Sequence, residues 1–203
     1  VRAPRVRRAP GSAQRIGHGR KALTEREVHS AHLAETLAGP ITLWVSGVGL
    51  RRVEFGALPD HAHTDPPGDW PPLLVDAVDQ VTEYLTRRRT AFDLPLDLHA
   101  ATDFQRQVYD ELARVSHGRL TTYGGLARAL GRPESARAVG QAVGANPVPI
   151  VIPCHRVVAA DGKLGGYSGG LPVKVTLLAI ENIEVDGATP TSQVHPEVLR
   201  LNL

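Results

Sequence analysis

TTYGGLARALGRPESARAVGQAV, residues 121–143, decides how the chain is read. Thr121 and Thr122 carry hydroxyls able to cap a helix over Tyr123 to Leu130. Gly131-Arg132-Pro133 turns the chain. Glu134 to Val143 reads as a further helix, with Pro133 near its first turn, where a missing N–H costs nothing. Helix, three-residue turn with glycine, helix is the outline of a helix-turn-helix. The outline alone does not separate a DNA-binding unit from any tight αα-hairpin. Ala136, Ala138, Gly140, Ala142 and Gly144 run along the second helix. Such small residues permit close approach to a groove, or close packing on a neighbouring helix.

The flanks extend the reading. Upstream, Thr102 precedes a helical pattern of Phe104, Val108 and Leu112, and Gln105 completes a capping box. Ser116-His117-Gly118 closes that helix. Downstream, Pro147-Val148-Pro149-Ile150-Val151-Ile152-Pro153 is a rigid apolar run whose prolines fix φ. It leads into Cys154-His155-Arg156-Val157-Val158. Residues 162–170 hold five glycines without the spacing of a phosphate cradle. They read as a flexible linker, or as a loop whose backbone approaches a ligand. Leu171 to Glu181 is helical.

Residues 25–100 read as a small mixed α/β domain. Thr24-Glu25-Arg26-Glu27 reads as the capped start of a short helix. Residues 41–45 and 49–56 alternate around Ser46-Gly47 and predict a β-hairpin. Residues 57–72, with five prolines, read as a loop. Leu73 to Arg88 is amphipathic, with Leu74, Val78, Val81, Tyr84 and Leu85 at helical spacing. Phe92, Leu94, Leu96 and Leu98 recur at period two and predict another strand over 90–98. The fold class expected is α/β in the α+β sense. A mixed N-terminal domain with an antiparallel sheet (25–100) precedes a mostly helical C-terminal domain with a helix-turn-helix (101–187). Residues 1–24 are expected as a disordered basic tail and 188–203 as a second tail.

Composition narrows the function classes. The chain has 203 residues, 42% hydrophobic and 22% charged, an ordinary globular balance. A net charge of +2 is too small to announce a nucleic-acid binder. Residues 1–24 carry six Arg and one Lys with no acid, which suits a solvated tail or a non-specific DNA-binding arm. A single cysteine rules out an intrachain disulfide and a multi-cysteine zinc site. No metal or cofactor is expected, and a lone thiol suits a reducing, cytoplasmic setting. No run approaches ~18 apolar residues, so no membrane span is expected. The basic start is not followed by the apolar stretch of a secretory signal.

A free cysteine is often an inert hydrophobe. Here His155 is adjacent and Arg156 near, and both would favour thiolate. An ordinary thiol, with a pKa of about 8.5, is only a few per cent ionised at neutral pH. Nucleophilic work therefore needs a base or a nearby cation. His155 can serve directly or through a water. An imidazole that takes a proton is best held by a carboxylate on its other nitrogen. Asp161, Glu181 and Glu184 are all candidates. The direct Cys-His adjacency argues against a thiol hydrolase, in which nucleophile and base come from separated segments.

Pro153-Cys154-His155-Arg156-Val157 resembles the active-site signature of the O6-alkylguanine-DNA alkyltransferases, the methylated-DNA–protein-cysteine methyltransferases. Tyr123-Gly124, Arg137-Ala138-Val139-Gly140, Asn146-Pro147, Gly166-Tyr167-Ser168-Gly169-Gly170, Lys174 and Leu177-Leu178-Ala179-Ile180-Glu181 follow the family's order and spacing. The resemblance covers residues 102–181, and more loosely 41–56 and 92–96. It implies a DNA repair protein that flips a damaged nucleotide out of double-stranded DNA and moves the alkyl group of O6-alkylguanine onto itself once. In that reading Cys154 is the nucleophile, His155 the base acting through a water, and Glu181 the carboxylate that holds it. Tyr123 would donate to guanine N3, and the Ser168 amide to O6. The carbonyls of Cys154 and Val157 would accept from the exocyclic amine. Asn146 would brace the turn, and Pro149 and Tyr167 would line the pocket. Arg137 would fill the gap in the stack, while Ala136, Ala138 and Gly140 would approach the minor groove. The expected partner is DNA, with no membrane, and the chain is expected to be monomeric. The alternative is an alkyltransferase-like protein that binds lesions without reacting; such relatives lack the cysteine. Tyr109, Val115-Ser116-His117-Gly118, Pro172 and Val175-Thr176 depart from the family pattern.

Overall fold

The structure, a computed structural model, describes residues 27–58 and 64–194. Three strands, β1 (Val28–Leu33), β2 (Ile41–Ser46) and β3 (Leu50–Phe55), form an antiparallel sheet in the order β1-β2-β3. Ile41, Leu43 and Val45 alternate inward along β2 and are fully buried. The hairpin expected over 41–56 is therefore present, with a bulge between Trp44 and Val45. Gly49 sits at its turn because a Cβ there would lie 2.4 Å from the Pro95 carbonyl oxygen.

Two N-terminal expectations need correction. The helix started by Thr24-Glu25-Arg26-Glu27 begins outside the described residues, and from Val28 the chain is strand. Ala31 of β1 is buried in register with Leu43, so sheet pairing overrides the capping signal. Residues 90–98 are not a strand either. Burial alternates from Ala91 to Leu96, with Phe92, Leu94 and Leu96 half-buried, and the alternation breaks at the buried Asp97. One parallel bridge, Leu50 to Leu96, is all the sheet pairing that forms. Pro95 has no N–H to give a ladder, so the segment runs extended along the sheet edge.

Helix α1 (Pro72–Leu85) packs its apolar face of Leu74, Ala77, Val78, Val81, Tyr84 and Leu85 toward the sheet. Each large side chain on that face contributes about 1.5–3 kcal/mol by burial. Helix α2 (Asp103–Ala113) starts with the full capping box between Thr102 and Gln105. Such a cap is worth about 0.5–2 kcal/mol. Helix α3 (Tyr123–Ala129) is capped by Thr122, whose hydroxyl accepts from the Gly125 N–H. A short 3-10 turn at Pro133–Ser135 leads into α4 (Ala136–Gly144), so the α-helix begins two residues later than the sequence suggests. Thr121–Thr122 also forms a short strand, β4, parallel to β5 (Val157–Val158), which the sequence did not reveal. Helix α5 (Leu171–Ile180) closes the order.

One buried cluster runs from Ala31 to Ile180 through both halves of the chain. A second, smaller one joins Leu120, Val158, Leu164, Leu178, Ile183 and Val194. The segment 188–194, expected as part of a tail, is packed where it is described. Ser192 O accepts from Leu164 N at 2.9 Å, and Val194 N donates to Gly162 O at 3.1 Å. These bonds pin the glycine-rich loop from outside. No helix among the described residues is long and apolar enough to cross a membrane.

Candidate active site

The proline run delivers Cys154 to a fixed place. Asn146 staples it from within: its Oδ1 accepts from Val148 N at 3.1 Å, and its Nδ2 donates to Ile152 O at 2.8 Å. Ile150 has φ 75°, the left-handed region that β-branched residues avoid. Such a conformation costs about 1–3 kcal/mol and persists only where the surroundings over-determine it. Full burial of Ile150 and the Asn146 bonds on either side of it do so. Cys154 then opens a 3-10 turn, Cys154–Arg156, that feeds β5.

Around the cysteine the structure assembles a buried polar cluster. His155 and Glu181 side chains are both 0% exposed, and His155 Nε2 lies 2.8 Å from Glu181 Oε1. The same oxygen accepts from Arg156 Nη2 at 2.8 Å and Tyr84 Oη at 2.7 Å. Glu181 Oε2 accepts from Gly118 N at 2.8 Å and Arg156 Nε at 3.0 Å. Burial by itself would raise the Glu181 pKa. The hydrogen bonds and charges of His155 and Arg156 outweigh it and hold the carboxyl well below the usual range. Burial pushes His155 below its ordinary value, against the pull of Glu181, so the ring is neutral at neutral pH. With Nε2 facing a carboxylate, the proton is assigned to Nε2. Nδ1 then carries the lone pair, and it is buried with no partner among the described residues. Of the three carboxylates open at the sequence level, Glu181 is the one that meets His155.

The resting state of the sulfur differs from expectation. Cys154 is only 4% exposed, and burial raises its pKa. Asn146, Tyr167 and Lys174 pull it back incompletely. The neighbouring Arg156 does not favour thiolate, because its guanidinium is directed to Glu181 and, through Nη1, to Val115 O at 2.5 Å. The buried cation acting on the thiol is Lys174. Its Nζ donates to Val157 O at 2.7 Å and Leu164 O at 2.5 Å, and burial lowers it to about 8. The sequence matched Lys174 without giving it this role. The result is a neutral thiol beside a neutral imidazole.

The other expected residues fall into two groups. Tyr123 and Tyr167 lie close enough to Cys154 that a charge on the sulfur would raise both hydroxyls, after burial has done most of that. The Tyr167 hydroxyl is buried without a well-aligned partner. Gly169 allows the loop to pass Phe55 of β3, since a Cβ would lie 2.5 Å from that ring. Val157 O accepts from Lys174, which leaves one lone pair for a ligand. Pro149 and Ser168 line a cavity of about 630 Å³ together with Asn146, Arg51 and His99, but Cys154 does not reach it. The titratable groups converge on the thiol side.

On α4, Arg137 and Ala138 are exposed and Ala136 half-buried. No ion pair joins Arg137 to Glu134. Gly140 faces inward rather than out: a Cβ there would stand 3.6 Å from the Tyr123 ring. The small residue at that position thus serves helix packing against the site tyrosine. Tyr84 was legible only as a core position, although a hydroxyl on the apolar face of a helix signals that a buried partner is needed. Among the described residues no cluster of His, Cys, Asp and Glu is arranged to hold a metal.

Comparison with known proteins gives the family. Residues 31–98 match the ribonuclease-like domain of 6-O-methylguanine DNA methyltransferase, and residues 103–183 match its DNA binding domain. A methylated-DNA–protein-cysteine methyltransferase of Mycobacterium bovis is 42% identical over 146 residues, covering 70% of this chain and 86% of its own. One from Methanosarcina barkeri is 38% identical over 152 residues, covering 73% and 94%. The crystal structure of Mycobacterium tuberculosis OGT in complex with DNA superposes with a TM-score of 0.66 at 39% identity, over 76% of this chain and 93% of that one. On these matches the chain belongs to the 6-O-methylguanine DNA methyltransferase family.

Proposed function

We propose that the chain repairs DNA by moving an alkyl group from O6-alkylguanine onto its own Cys154, once per molecule. The observation that carries this is the 2.8 Å pair of His155 Nε2 and Glu181, which leaves Nδ1 as a free base in the next residue to the thiol. In the forward step Nδ1 takes the Cys154 proton, directly or through a water. The sulfur electron pair forms the bond to the alkyl carbon as the carbon–O6 bond breaks. The electrons of that bond move onto the guanine, where the Tyr123 hydroxyl donates at N3 and the Ser168 amide at O6. The proton that His155 took is released to solvent and the departing base takes one up, so the products are a thioether, a neutral His155 and an unmodified guanine. A thioether has no easy hydrolysis, so the protein acts once.

The target atom is stacked inside a duplex, so the nucleotide must be flipped out at a cost of a few kcal/mol. Arg137, exposed at the start of α4 and without an ion-pair partner among the described residues, fills the gap, and Ala136 and Ala138 let the helix approach a narrow groove. Helices α3 and α4 act as a helix-turn-helix, and phosphate contacts supply most of the affinity. The two family matches, ending at 98 and starting at 103, support an N-terminal domain over 25–100 and a catalytic domain over 101–187. The chain acts as a monomer in a reducing, cytoplasmic setting, which suits its single free thiol.

The test is the mass of the protein after incubation with duplex DNA carrying O6-methylguanine. One added methyl group on Cys154 is expected, and none in Cys154→Ala. A parent protein whose mass is unchanged after hours, while it holds the lesion DNA tightly, would instead be a lesion binder that does not react.

A further inference from the structure

Glu181 is held by side chains from more than the catalytic segment. Tyr84, on the buried face of α1, is 97 residues away in sequence, yet its hydroxyl donates to Glu181 Oε1 at 2.7 Å. The same oxygen atom of Tyr84 lies 3.2 Å from His155 Nε2. Tyr84 is fully buried. Its ring is fixed between Phe92, with centroids 5.4 Å apart at 46°, and His117, at 6.3 Å and 81°. A phenol has one proton to donate. Because Glu181 is an ionised acceptor, that proton goes to the carboxylate, and the remaining lone pairs of the phenol oxygen face His155 Nε2. A hydrogen on Nε2 therefore meets two acceptors, whereas a bare Nε2 would meet only lone pairs. Both contacts favour the tautomer that leaves Nδ1 free.

From this arrangement we infer that Tyr84 is a positioning residue for alkyl transfer, by which the N-terminal half orients Glu181 and holds the His155 tautomer. The inference rests on the transfer reaction proposed above. Arg87, one turn further along and just past the end of α1, supplies a natural control. Its Nη2 donates to Ala179 O at 2.9 Å, so it ties the same two helices together without touching Glu181 or His155. If α1 mattered only as a support for α5, the two ties would be equivalent.

The experiment compares Tyr84→Phe with Arg87→Ala in single-turnover transfer from saturating O6-methylguanine duplex, alongside DNA affinity and the ring nitrogen signals of His155 by NMR. Tyr84→Phe is expected to slow transfer about tenfold, the size expected for losing one hydrogen bond to a charged group. DNA affinity stays unchanged, and the two ring nitrogen signals of His155 move toward a mixture of tautomers. Arg87→Ala transfers at the parent rate. In a Glu181→Gln background, Tyr84→Phe adds less than about a twofold effect, because the group it acts through is gone. Equal slowing by both single variants, a full further loss in the Glu181→Gln background, or unchanged nitrogen signals would overturn the assignment. A parent protein that takes up no methyl would overturn the transfer proposal instead, while the His155 tautomer would still report on Tyr84.

Discussion

The buried cluster around Glu181 and the exposed face of α4 are built on opposite plans. At Glu181 the carboxylate receives hydrogen bonds from His155, Arg156, Tyr84 and the Gly118 amide, and almost none of it is exposed. At the start of α4, Arg137 stands exposed with no described partner, beside alanines that offer only shape. The first region is organised before any ligand arrives, so no reorganisation is left for the reaction itself. The second region is left open to solvent, which is what the proposed contact with DNA would require. On the proposed function the two regions divide chemistry from recognition, and substitutions in them should separate stability, rate and binding.

The sharpest way to break the comparison is Arg156→Met. It removes the guanidinium from a buried carboxylate and is expected to cost about 3–5 kcal/mol of folding stability, read as a fall in the urea midpoint. A loss below about 1 kcal/mol would mean that the cluster is not over-determined as described. Glu181→Gln keeps the shape but removes the charge opposite His155. Transfer should slow about a hundredfold, as for loss of an effective general base, while lesion DNA still binds. The same variant tests the acid limb of stability. The folded pKa of Glu181 lies below its ordinary 4.5. Between those two values the unfolded chain takes a proton that the folded chain refuses, so stability falls as pH drops below about 4.5. The parent should lose stability through that window more steeply than Glu181→Gln, measured by urea unfolding at each pH. Arg137→Ala should have the smallest effect. Stability changes by less than about 0.5 kcal/mol, as is usual at an exposed site. Repair of duplex DNA slows about tenfold, matching loss of one stack-filling contact against the cost of flipping. The reactivity of Cys154 toward a small alkylator is unchanged. Duplex repair at the parent rate would remove Arg137 from the flipping step.

Most of the elements were legible because their signals are local. Thr102 and Gln105 lie within one turn and form the capping box that their spacing announces. The alternation of Ile41, Leu43 and Val45 marks β2, and the prolines before Cys154 mark a rigid approach. The alternation of Phe92 to Leu98 was equally clear, yet gave an extended edge rather than a strand, because Pro95 cannot donate and few partners lie alongside. The two-residue strands β4 and β5 are too short to leave a pattern, and their pairing depends on segments 36 residues apart. The packing of residues 188–194 onto the glycine-rich loop was likewise illegible in a polar, aperiodic stretch.

By itself the sequence determined that this protein carries one thiol on a proline-stiffened approach, an imidazole in the next residue, and capped helices around them, because each of these is a relation between neighbours in the chain. Which carboxylate meets the imidazole, where Arg156 turns its guanidinium, and that a tyrosine from the other half completes the cluster were decided only by the tertiary structure. Direction and burial of a side chain are set by what packs against it, and Tyr84 and Glu181 meet only after nearly half the chain has folded between them.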